Sequence, residues 1–237
     1  MALVLAGKLP NNLNKLIEEY FTNLPDRSKY KAKSFKKIKQ TKPRVSIFYK
    51  QTDQANIVLG VEGFDRADKK KYTARVLSAI LGEGMSSRLF LQVRERRGLA
   101  YHIGADHEFY QDTGAFTVDA GLKLEKIEDA LEIILTELER VTTEKVTDDE
   151  LKKAKEMIRG RLAIRSESTN FLAEYFGVNF ILDHKIETFE QYLKNIDEVN
   201  REDIQNVAKE LFQSSKYNLQ IIAPIKSAEK FEAILNQ

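Results

Sequence analysis

The chain has 237 residues, of which 42% are hydrophobic and 31% charged. That is an ordinary globular composition with enough apolar material for a core, and it excludes general disorder. The formal net charge is +2, too near zero to point by itself to a nucleic acid or an acidic membrane. There are no cysteines, which excludes disulfides and thiolate metal sites and leaves the redox compartment open.

The opening MALVLAGKLP lacks a basic n-region, and its apolar run is too short for a signal peptide or a membrane span, so the expected location is cytoplasmic, with no membrane partner. Ala2 to Ala6 reads as a short strand, turned by Gly7 and Pro10 into a helix. Its apolar positions Leu13, Leu16, Ile17, Tyr20 and Phe21 recur at helical spacing, and it closes near Asn23-Leu24-Pro25. A lone strand and helix cannot bury their apolar faces, so residues 1–27 need a partner sheet. From Ser28 to Arg44 there are eight Lys or Arg and no acid, interleaved with Tyr30, Phe35 and Ile38. Such a run serves either as an anionic or nucleic-acid patch or as a solvated linker. Pro43 and the absence of periodicity favour a linker over residues 28–43, with no nucleic-acid partner.

Residues 44–237 read as one α+β domain, an antiparallel sheet with helices packed on one face. Val45 to Tyr49 and Ala55 to Gly63 pattern as strands. Asp65 is placed to cap a helix that carries Val76, Leu77, Ala79, Ile80 and Leu81 to Gly82. A second helix spans Ser87 to about Arg97, followed by a hairpin of Leu99 to Phe109 and Gly114 to Leu122. Leu124, Ile127, Leu131, Ile134 and Leu138 make a helical stripe. Thr147 with Glu150 is a capping box, and Val146 with Leu151 a hydrophobic staple, for a long helix reaching about Ser166. Helical segments follow at about Asn170 to Leu182 and Thr188 to Ile196, then one capped by Asn200. The chain closes with a strand, Tyr217 to Ala223, and a short helix from Ser227.

The stretch richest in chemistry is Gly82 to Tyr101, GEGMSSRLFLQVRERRGLAY. Gly82 and Gly84 break an apolar run, and serines follow that can open a helix. This helix carries Arg94 toward Gly98 and a strand starting at Tyr101. An arginine at a helix end offers a planar two-pronged donor, and a tyrosine beside it a phenol, a pair suited to holding a peptide carbonyl. By spacing alone, Arg94 reads first as an exposed helix arginine and Tyr101 as a packed strand tyrosine. Arg96 and Arg97 offset the helix dipole. Gly82, Gly84 and Gly98 suit tight turns. A phosphate cradle at Gly82-Glu83-Gly84 is disfavoured, because no Lys-Ser/Thr follows and Glu83 would repel the anion. Phe109-Tyr110 and the strand before it lie where an extended peptide would pair.

These twenty consecutive positions resemble the second-domain signature of the pitrilysin, insulinase and mitochondrial processing peptidase family: Gly-rich turn, Ser-Ser-Arg-Leu-Phe, Val-Arg-Glu, Gly-Leu-Ala-Tyr. The sequence departs at Glu83, where a third glycine is more usual. The resemblance implies a mitochondrial processing peptidase-like, or LuxS-like, metallohydrolase fold. It implies that Arg94 and Tyr101 hold substrate backbone beside the scissile carbonyl, and that Arg88 is an interdomain or capping residue. It also implies that residues 1–27 close a missing first domain.

The family's zinc sits on H-x-x-E-H in its first domain, with two histidine ligands and a glutamate base. The three histidines here, His102, His107 and His184, stand at no such spacing. In one strand, His102 and His107 are an odd number apart and face opposite ways, so they cannot share an ion. The expectation is therefore that this chain contains no catalytic residue and no metal ligand, and is inactive by itself. Zinc would reside in a complementary H-x-x-E-H-bearing domain or subunit, and a peptide would be the other partner. The alternative is a non-catalytic scaffold subunit of the same fold, like the core proteins of respiratory complexes. An orphaned strand and helix also leave a homo-oligomer open.

Overall fold

Alternation along two central strands sets the architecture. In β2 (Ala55–Gly63) the residues Ala55, Ile57, Leu59 and Val61 are buried, and in β4 (Gly114–Leu122) so are Phe116, Val118 and Ala120. The intervening residues, among them Val58, Thr117 and Asp119, turn to the opposite, open face. One face of the sheet is thus covered and the other is not. The computed structural model describes residues 2–22, 33, 35, 36 and 38–236.

The sheet has five strands in the order β1-β5-β2-β4-β3, with β1 at Arg44–Tyr49, β3 at Ala100–Phe109 and β5 at Asn218–Ala223. The pairings β5-β2, β2-β4 and β4-β3 are antiparallel, as expected of the sheet. β1 departs from that expectation and runs parallel to β5, Val45 opposite Leu219 and Ile47 opposite Ile221. The alternating pattern of a strand is the same in either direction, so the sequence alone does not separate the two.

Helices cover the buried face. α2 (Lys71–Gly82) packs on β3, on α4 (Asp148–Ser166) and on α7 (Arg201–Leu211), while α3 (Ile127–Thr143) packs on α7 and on α8 (Glu229–Leu235). The α3 stripe of Ile127, Leu131, Ile134 and Leu138 is buried against this layer, each such side chain contributing about 1.5–3 kcal/mol. Capping boxes close at Thr147 with Glu150, at Thr188 with Gln191 ahead of α6 (Phe189–Glu198), and at Asn200 with Asp203 ahead of α7. Between α4 and α6 lies α5 (Thr169–Val178), which runs on as a π-helical turn, Asn179–Asp183.

Two local expectations are corrected. Asp65 does not cap α2: its Oδ1 accepts from the N–H groups of Ala67 and Asp68, both at 2.9 Å, closing a turn of its own, and α2 begins later at Lys71 with no side-chain cap. Ala2 to Ala6 forms no strand, because among the described residues no strand lies beside it to take up its backbone groups. Instead Val4 lies against Gly177 of α5. The helix after it, α1 (Leu13–Phe21), is present but fully buries none of its residues: Leu13, Leu16 and Ile17 are half-buried, and Tyr20 and Phe21 are exposed. Most of the basic run from residue 28 lies outside the described residues.

Candidate functional site

The signature turn is held from both sides. Gly82 closes α2 where a Cβ would come within 2.0 Å of the Ala105 backbone nitrogen, so only glycine lets the helix end lie on β3. Gly84 follows at φ +82°, in the region that side chains disfavour. Glu83, the departure from the signature, is an ion-pair anchor. It receives Arg75 of its own helix, with Nη2 at 3.0 Å from Oε2, and also Arg161 of α4. Arg88 donates to Glu150 through Nε at 2.7 Å and Nη2 at 3.1 Å, so the signature arginine, expected to be an interdomain or capping residue, binds the capping box of α4.

The signature helix is not a regular α-helix. Phe90–Glu95 is π-helical, with Arg96 N–H donating to Leu91 O. It closes on Gly98 at φ +60°, Gly98 N–H reaching Arg94 O and Leu99 N–H reaching Val93 O, both at 3.0 Å. These are the bonds of a left-handed glycine cap, each spanning one extra residue because the turn is wide. Arg94 stands on this turn, exposed, with its guanidinium 5.0 Å from the Phe90 ring centroid and no ion-pair partner among the described residues. Arg97 is tied back to Gln92 O at 2.8 Å, where it offsets the free carbonyls of the helix end.

Past Gly98 the chain enters β3 through a bulge. Ala100 pairs with Leu122 and His102 with Gly121, which leaves Tyr101 unpaired between them. Ala100 and Ile103 both keep their places in the core, and two consecutive residues, Tyr101 and His102, are turned out. Tyr101 is 54% exposed and its hydroxyl has no partner among the described residues. His102 lies over Gly121 on the open face, with Nε2 3.7 Å from Asp119 Oδ2. The bulge was missed in the sequence reading, although the break of alternation in Ala-Tyr-His-Ile is its signal.

The histidines take three different environments. His102 is on the open face. His107 is buried between Phe64 and Phe109, accepting the Phe64 N–H at Nε2 (3.0 Å), and burial pulls its pKa down to about 4. His184 is exposed in a left-handed position after the π-helical turn, at φ 51°. Since the bulge precedes His102, the odd spacing to His107 still puts the two on opposite faces. Among the described residues no three His, Asp or Glu side chains are grouped to hold a metal ion. This donor set does not fit a zinc site.

Residues 1–158 match the family model of the peptidase M16 inactive domain. The chain belongs to that family. Among curated proteins, this M16 chain is 31% identical over 224 residues to YmxG of Bacillus subtilis, described as an uncharacterized zinc protease, covering 94% of this chain and 54% of that protein. It is 34% identical over 170 residues to an uncharacterized zinc protease of Rickettsia felis, covering 71% and 41%. The M16 chain therefore spans about half the length of the curated relatives it matches. Among solved structures, a protease from Helicobacter pylori superposes with a TM-score of 0.82 at 22% identity over 92% of this chain and 54% of that one. The peptidase M16 inactive domain from Pseudomonas fluorescens gives 0.73 at 20% over 83% and 47%. Among the described residues no helix is long and apolar enough to cross a membrane.

Proposed function

We propose that this M16 inactive domain is the peptide-holding part of a zinc metalloendopeptidase whose metal-bearing domain lies elsewhere, in the same polypeptide or in a separate subunit. The observation that carries the reading is the pair Arg94 and Tyr101. Each is exposed and makes no hydrogen bond or ion pair among the described residues, and they stand on either side of a junction made by the π-helical turn, Gly98 and the β3 bulge. The match of this domain to half of relatives described as zinc proteases supports a complementary half. On this reading residues 1–27 belong with the first domain, residues 28–43 connect, and residues 44–237 hold substrate. The half-exposed stripe of α1 is consistent with that division.

Zinc in the complementary domain would supply the activated water of peptide hydrolysis. Arg94 would place two parallel N–H donors on a peptide carbonyl, and Tyr101 one O–H beside them. A donor fixed ahead of reaction at a developing oxyanion lowers a barrier by about 3 kcal/mol. Alone, the chain would bind peptide and cleave none.

The test is peptide cleavage, with zinc quantified on the same samples, for this chain alone and for its mixture with an H-x-x-E-H-bearing partner. Zinc-free, inactive chain and an active mixture are the expected pair. Arg94→Ala should then lower turnover by about a hundredfold with zinc retained; unchanged turnover would remove the assigned role. A second reading, a non-catalytic assembly subunit, draws on the fold likeness to a chain of Complex III from Candida albicans, TM-score 0.71 at 16% identity. A mixture that assembles and never cleaves would favour it.

A further inference from the structure

The arginines of the signature stretch are held in different ways. Arg88 commits Nε and Nη2 to Glu150, and Arg97 commits Nη1 to the backbone and side-chain oxygens of Gln92. Arg94 is given no oxygen. Its guanidinium lies over the Phe90 ring, 5.0 Å from the centroid, and makes no hydrogen bond or ion pair among the described residues.

Local structure sets this pairing. Phe90 and Arg94 stand four residues apart on the π-helical turn Phe90–Glu95, a spacing at which side chains on a helix surface meet. Leu89 and Val93, each one position earlier, are fully buried and fix the turn against the core. The next row therefore lies at the core's margin, with Phe90 half-buried and Arg94 exposed. Partial burial holds the ring, and the ring holds the guanidinium.

A carboxylate partner and an aromatic partner leave different things available. The carboxylate occupies guanidinium N–H groups and cancels the charge, as Glu150 does for Arg88. The negative face of a ring attracts the cation and supplies no lone pair to its N–H groups. Arg94 thus keeps its charge and its donors for an incoming oxygen. An arginine with no contact at all samples many rotamers, and ordering them on binding opposes affinity. Contact with Phe90 removes part of that loss before a ligand arrives.

We propose that Phe90 is a positioning residue for Arg94, its ring holding the guanidinium in place with the N–H groups open to a peptide carbonyl. Phe90 acts through Arg94 and not by touching the peptide. The inference rests on the peptide-holding reading of Arg94.

Two measurements test it. In NMR spectra of the 237-residue chain, the Arg94 Nε–H should carry a ring-current shift that Phe90→Tyr keeps and Phe90→Leu loses. In the mixture with the H-x-x-E-H-bearing partner, Phe90→Leu should lower kcat/KM by about threefold or more, and Phe90→Tyr should retain most of it. Phe90→trifluorophenylalanine keeps the shape of the ring, and so the fold, while weakening its negative face, and should behave like Phe90→Leu. With Arg94→Ala already present, Phe90→Leu should lower kcat/KM no further. The proposal is overturned if the Arg94 resonance shows no ring-current shift, if the fluorinated ring leaves kcat/KM unchanged while Arg94→Ala lowers it, or if Phe90→Leu has the same effect with and without Arg94. No loss on Arg94→Ala would remove the peptide-holding reading itself, and this inference with it.

Discussion

Arg88 of the signature helix grips Glu150, the third residue of α4, with Nε 2.7 Å from Oε1 and Nη2 3.1 Å from Oε2. The same carboxylate accepts the Thr147 N–H at 2.8 Å, completing the capping box of α4. Burial alone would raise Glu150, but the Arg88 and Thr147 bonds overcome it and hold the carboxyl down to about 2. One side chain thus starts a helix and fastens the signature turn to it.

Glu150→Ala removes the cap and leaves the Arg88 guanidinium, 10% exposed, without its partner. The expected loss is roughly 2–4 kcal/mol, read as a lower urea midpoint at constant slope. Glu144→Ala, which breaks only the exposed i,i+4 pair with Arg140, should cost under about 0.5 kcal/mol. Equal effects of the two would contradict the role given to Arg88.

His107 makes stability depend on pH. Its folded-state pKa is about 4 against an ordinary 6.5, so between those values the unfolded chain binds a proton that the folded chain refuses. Stability from this group is complete above pH 6.5 and is lost as pH falls through that window, by about 3 kcal/mol at most. A ring-proton titration showing His107 charged in folded protein at pH 5.5 would rule this out.

Two glycines should respond in opposite directions. Gly82→Ala drives a Cβ into the Ala105 backbone and is expected to cost roughly 3 kcal/mol or to prevent folding. Gly160 lies exposed within α4 with nothing within 4 Å of an added Cβ, so Gly160→Ala should stabilise by about 0.5–1 kcal/mol. Thermal midpoints of the two variants test the assignment directly.

Arg94 and Tyr101 are exposed and make no hydrogen bond or ion pair among the described residues. Arg94→Ala and Tyr101→Phe should therefore each move stability by no more than about 0.5 kcal/mol. A larger loss would mean that the pair serves the fold, and that activity changes on mutation could not be read as changes in substrate handling.

What the sequence determined by itself was everything encoded locally. The capping box at Thr147, the cap at Asn200, the α3 stripe and the alternation in β2 and β4 all follow from residues within a few positions of each other, and the structure places them where the spacing does. The odd separation of His102 and His107 likewise fixed their opposite faces. Tertiary structure decided what depends on a distant neighbour. The direction of β1 is set by β5, some 170 residues later. The Tyr101 bulge exists because β4 offers Leu122 and Gly121 in unbroken register to a strand with one residue too many. Glu83 became an anchor because Arg161 arrives from another helix, and the Asn179 amide is oriented by Arg66 from the far side of the sequence. Such pairings join positions far apart in the chain, and no periodicity along a single segment records them.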